Sequence, residues 1–171
     1  MLKILAELNA DEPSVVTDHV SSNRRGWRLL LLVALWVGFI FGTSCTVIRP
    51  QEFFELVQRY AIVDEQSMQH FRLFWGLSWF AIVKGWHFTE FVILTFLVAG
   101  VQQWWRRSAS PSTVVTSMLI CITFAASDEW HQSFVPDRFG TVTDVFIDSL
   151  GVMSASMYLL IRSRSHREQG I

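Results

Sequence analysis

The chain has 171 residues, a length that fits one domain; 51% are hydrophobic and only 17% charged, against the about 25% charged residues of a typical soluble domain. The net charge is −1, and arginines gather beside apolar runs: Arg24, Arg25 and Arg28, then Arg106 and Arg107, then Arg162, Arg164 and Arg167. That pattern is of membrane-flanking anchors and excludes a basic nucleic-acid-binding face.

In chain order, residues 1–26 read as a polar cytoplasmic tail, with Met1 to Leu8 able to form a short amphipathic helix. Trp27 to Ile48 is an almost unbroken apolar run, about the 20 residues needed to cross a bilayer. It is too long, and its N-terminal tail too long, for a cleaved signal peptide, and no small-residue cleavage site follows. Gly42-Thr43-Ser44-Cys45 is not a lipoprotein signal, because Gly42 stands where a bulky aliphatic is needed. Residues 50–70 carry Phe53, Phe54, Leu56, Val57, Tyr60 and Ile62 near helical spacing among polar residues, which predicts an amphipathic helix on the outer membrane surface. Phe71 to Val83 is apolar but short; it fits either an interfacial helix or the start of a longer tilted span.

Lys84-Gly85-Trp86-His87 interrupts the apolarity, and a second span is predicted at about 84–104, closed by Trp104-Trp105-Arg106-Arg107. A tight turn at 108–112 leads to a third span at 113–130. Pro136 and Gly140 bound a loop, a fourth span covers 142–161, and residues 165–171 form a polar tail. The expected fold is all-α: a polytopic membrane protein with a four-transmembrane-helix bundle over residues 27–164 and an amphipathic extracytoplasmic segment. The positive-inside rule places both termini and the 106–112 turn in the cytoplasm of an inner-membrane protein. It places Lys84 and His87 on the opposite side together with Asp128 to Arg138. Cys45 and Cys121 lie in apolar surroundings and are expected to be buried thiols, with no spacing that argues for a bridge.

Three spans bring ionisable groups to that outer level. Asp128, His131 and Gln132 stand at i, i+3 and i+4 and share a helix face, and Gln132 can bridge Asp128 and Glu129. Lys84, His87 and Glu90 stack on the second span; Asp144 and Asp148 are four apart on the fourth. Such groups are costly in a membrane and normally face a bundle interior or polar cavity. The candidate set is therefore Glu129, His131, Asp128 and His87 as catalytic residues, with Lys84, Glu90, Gln132, Arg138, Asp144 and Asp148 as binding residues. Arg138 is expected to meet the acids of the fourth span.

Several readings fit this cluster. It forms an active site in which a histidine or acid exchanges protons while Arg138 or Lys84 holds an anionic group such as a lipid phosphate. Within that reading, His87, His131 and Asp128 or Glu129 make a possible metal set, although no H-E-x-x-H motif is present, and no metal or cofactor is assigned. Alternatively it is a buried charge network that locks the bundle. A small-ligand transporter is a third reading, unsupported by any internal repeat. His19, His70 and His166 read as solvated, and Ser127 and Ser133 lack a nucleophile elbow.

Asp128-Glu129-x-His131-Gln132-x-Phe134-Val135-Pro136-x-Arg138, followed by Asp144, Asp148 and Gly151, resembles the signature of VanZ-like membrane proteins. Lys84-x-x-His87-Phe88-x-Glu90-Phe91-x-x-Leu94 is similar to that family's earlier motif. The resemblance departs at Asp137, where glycine is usual, at Phe91, where tyrosine is common, and at Asp148, where asparagine is common. The family is named for a protein associated with teicoplanin resistance. The resemblance implies a location and a fold rather than a reaction, with the lipid bilayer and a lipid-linked envelope precursor as expected partners.

Overall fold

The computed structural model describes residues 12–46, 54–55, 59–60, 64–138 and 140–168. Among them it is all-helical: α1 Glu12–Ser44, α2 Glu65–Arg106, α3 Pro111–Gln132 and α4 Val142–Glu168. Each contains a stretch long and apolar enough to cross a membrane, so the chain is a polytopic α-helical membrane protein. About half of the expected amphipathic segment over 50–70, the first eleven residues and the last three lie outside the described residues.

The helix boundaries follow local chemistry. Asp64 caps α2 by accepting from the Ser67 N–H at 3.1 Å, and the Ser67 side chain and N–H hold its carboxyl below the ordinary value. Arg107 ends α2 in the left-handed region, with φ 53°. Ser110 then caps α3, and Pro111 occupies the first helical turn where a missing N–H costs nothing. Thr141 starts α4, its hydroxyl and carbonyl accepting from the Asp144 N–H at 3.2 and 3.0 Å.

Two helices run further than the hydropathy pattern implies. α1 takes in the end of the polar tail. α2 does not begin at Lys84 but continues unbroken from Glu65 through 42 residues, about 60 Å. The Phe71–Val83 segment is thus the first part of a long helix. The polar interruption at Lys84-Gly85-Trp86-His87 breaks the apolar run without breaking the backbone, since it contains no proline and its charged side chains meet partners on α4.

The helices run up-down-up-down. α2 packs most extensively on α4, α4 on α3, and α1 lies mainly on α2. Ile40, Phe91, Leu94, Cys121, Ala125 and Val152 form the buried apolar centre. A Cβ on Gly151 would overlap the Phe88 carbonyl, so glycine is what lets α4 approach α2 this closely. Outward-facing Leu31, Leu35, Leu119 and Met157 are exposed, as a lipid-facing surface requires.

The two ends of the bundle differ. Gly26 meets Trp104 and Leu29 meets Gly100, while Phe96 meets Tyr158. Arg24, Arg25, Arg28, Arg106, Arg107, Arg162 and Arg164 therefore gather at one end, with exposed Trp27 and Trp105 beside them. The opposite end holds the close of α1, Lys84 to Glu90 of α2, the close of α3 and the start of α4.

Candidate functional site

At that second end, helical spacing on α2 turns Lys84, His87 and Glu90 inward, and spacing on α4 does the same for Asp144 and Asp148. Glu90, Asp128, Glu129, Gln132 and Asp148 are each at most 4% exposed. So many buried polar groups need partners, and the partners come from four elements.

The first group of contacts is a hydrogen-bond chain. The Ser44 hydroxyl donates to Asp128 Oδ2 at 2.7 Å. Gln132 Nε2 donates to the same oxygen at 2.9 Å and to Glu129 Oε1 at 3.2 Å, so the amide bridges both acids as the i, i+3, i+4 spacing expects. Glu129 Oε2 accepts from the Thr141 N–H at 2.9 Å, which ties the end of α3 to the start of α4. A Cβ on Gly140 would collide with the Glu129 carbonyl, so the loop passes too close for any larger residue.

A second group joins α1, α2 and α4. Lys84 Nζ pairs with Asp144 Oδ1. The Thr43 hydroxyl donates to Glu90 Oε1 at 2.9 Å, and the Trp36 indole donates to the Glu90 carbonyl at 3.0 Å. His87 Nδ1 faces Asp148 Oδ1 at 3.5 Å. One donor atom each from His87, Glu129 and Asp148 lie within 4.8 Å of one another, so Glu129 links the two groups.

A cavity of about 1000 Å³ opens beside these contacts. Its polar wall includes Thr43, Lys84, His87, Glu90, Arg138 and Asp144; its apolar wall includes Phe39, Trp79, Ile82 and Trp86. Gln132 also reaches it, whereas Asp128, Glu129 and Asp148 stand behind the wall.

Two residues are not where the sequence expectation sets them. Arg138 does not meet the acids of α4; its Nη1 donates to the carbonyls of Thr43 at 2.9 Å and Ser44 at 2.5 Å. These are the last carbonyls of α1, which have no partner within their own helix. His131 does not share the inward face with Asp128 and Gln132. It stacks on Phe41 with ring centroids 4.5 Å apart, and its Nε2 lies 3.6 Å from Cys45 Sγ, away from His87. Cys45 is therefore an exposed free thiol, not a buried one, while Cys121 is buried as expected. Trp36, Thr43, Ser44 and Thr141 escape a search for charged residues. The signal for Thr43 and Ser44 is the small polar run Gly42-Thr43-Ser44 at the end of the first span.

A family model for VanZ/LLP1 matches residues 29–162, more than three quarters of the chain and all of this site. The chain belongs to the VanZ/LLP1 family. No curated protein and no solved structure matches it. Two departures from the VanZ-like motif now have a physical setting. Asp137 has φ 61°, a left-handed conformation that suits glycine best and that aspartate tolerates better than most residues. Phe91 is fully buried in the apolar centre and does not face the cavity, so phenylalanine there takes no hydroxyl from the cavity wall.

Proposed function

We propose that this VanZ-like protein sits in the inner membrane with both termini cytoplasmic. Its cavity faces outward and holds the headgroup of an envelope lipid or lipid-linked cell-wall precursor. The observation that carries the proposal is the two-sided cavity. An aromatic and aliphatic wall suits a hydrocarbon or isoprenoid stem, and a wall that mixes Lys84, His87 and Arg138 with Glu90 and Asp144 suits a head that carries an anionic group together with hydrogen-bonding groups. The arginine-rich opposite end supports the orientation. Occupying or altering such a lipid is a route to glycopeptide resistance of the teicoplanin type.

Within this reading His87 is the one of the four catalytic candidates that lines the cavity, which places it to exchange a proton with a bound headgroup. Asp128 and Glu129 act behind it, bridged by Gln132, which reaches the cavity. The hydrogen-bond chain Ser44–Asp128–Gln132–Glu129–Thr141 favours a second role for that part of the cluster: a polar lock between α1, α3 and α4. The two roles fall on different residues and separate by mutation. Extraction of lipid from purified protein, followed by mass spectrometry, tests the proposal. An anionic envelope lipid should co-purify, and Lys84→Met with Arg138→Gln should reduce it about tenfold, equivalent to about 1.4 kcal/mol. Equal lipid content in wild type and variant contradicts the proposal.

A further inference from the structure

The buried acids at this end outnumber the cations that touch them among the described residues. Among the described residues, Glu90, Asp128, Glu129, Asp144 and Asp148 are buried there. The permanent cations in contact with this cluster, among the described residues, are Lys84, paired with Asp144, and Arg138, whose Nη1 donates to backbone carbonyls. Buried carboxyls relieve such a concentration of negative charge either by taking up protons or by taking up a cation.

The deficit is sharpest at one point. Asp148 is 0% exposed, His87 6% and Glu129 3%. Neither oxygen of Asp148 makes a hydrogen bond, and neither does Nδ1 of His87. Buried polar atoms normally find partners, and these three face one another across a small gap. His87 Nδ1 and Asp148 Oδ1 are 3.5 Å apart, long for a hydrogen bond. Two donors each about 2.1 Å from a tetrahedral ion stand about 3.4 Å apart. Glu129 completes a triangle no wider than 4.8 Å. Its carboxylate is already oriented by Gln132 and the Thr141 N–H, as ligands of metal sites commonly are.

We infer that His87, Glu129 and Asp148 bind a divalent transition-metal ion of the zinc or manganese class between α2, α3 and α4. One imidazole with two carboxylates suits such ions, and a dication removes most of the charge excess. Three protein ligands leave a tetrahedral ion one position, the pattern of an open site rather than a closed structural one. His87 lines the cavity while Glu129 and Asp148 lie behind its wall, so the ion stands directly behind the cavity wall at His87. The inference does not depend on what fills the cavity. It differs from the His87–His131 pairing that the sequence offers, because His131 lies elsewhere and Asp148 takes its place.

The test uses full-length protein in detergent, equilibrated with zinc, desalted and analysed for metal and melting temperature. Wild type is expected to retain about one equivalent and to melt higher with zinc than after chelation. Asp148→Asn and His87→Gln, shown helical by circular dichroism, are expected to retain no zinc above background and to show no zinc-dependent shift. Cys45→Ser controls for the exposed Cys45–His131 pair and is expected to keep its zinc. Wild type without zinc, both ligand variants with zinc, or loss of zinc in Cys45→Ser overturns the inference. Should the ligand variants not fold, cobalt titration of wild type and Cys45→Ser decides. Ligand-field bands that survive in Cys45→Ser support the site; absence of bands, or bands lost with Cys45, overturns it.

Discussion

Ser44 shows how a residue without charge can decide the fate of charged ones. Its hydroxyl donates to Asp128 Oδ2, and Asp128 Oδ1 is buried without a hydrogen bond. Ser44→Ala should therefore destabilise by about 1–3 kcal/mol, the cost of weakening the satisfaction of a buried acid, read as a lowered melting temperature in detergent. An unchanged melting temperature contradicts the polar-lock role. Asp137 makes the opposite case. With φ 61°, Asp137→Val should cost about 1–2 kcal/mol. A valine variant as stable as wild type means that the turn is not left-handed. The charged members of the site were legible as a set, because ionisable residues inside apolar runs stand out. The orientation of His131 and the partners of Arg138 were not. Spacing three or four residues apart leaves a helix face broad, and the stacking of His131 on Phe41 is a long-range contact that spacing does not contain.

At the scale of elements, the helices were legible from hydropathy and their inner limits from Pro111, Pro136 and Gly140. The length of α2 was not legible from hydropathy alone. A window of polar side chains reads as an end of a span, yet Lys84 and His87 point to Asp144 and Asp148 while the backbone continues. The contact between α2 and α4 depends on Gly151 against the Phe88 carbonyl. Gly151→Leu forces the helices apart and should destabilise by about 1–3 kcal/mol, as overpacking does. It should also weaken the facing of His87 and Asp148, so lipid retention should fall with stability. A Gly151→Leu protein with wild-type melting behaviour contradicts the close approach.

Over the whole molecule, one asymmetry organises the rest: most of the described arginines at one end, the polar site and its cavity at the other, and a packed apolar centre between. The arginine positions carried that asymmetry in the sequence because flanking charge is a property of loops and needs no tertiary contact to be read. The cavity itself arises only when α1 brings Phe39 and Thr43 against α2. If the cavity serves the proposed lipid role, His87→Gln should remove the protein's effect on teicoplanin susceptibility while protein level and helicity stay unchanged. His131→Gln, outside the cavity, should do less. Equal loss in both variants contradicts the separation of the two histidines. The most direct measurement is labelling by a membrane-impermeant maleimide in intact cells. Cys45, exposed beside the site, should react in the Cys121→Ser protein before the cells are permeabilised. Ser108→Cys, placed in a protein lacking both native cysteines, should react only afterwards. The reverse order would place the polar site on the cytoplasmic side and contradict the account.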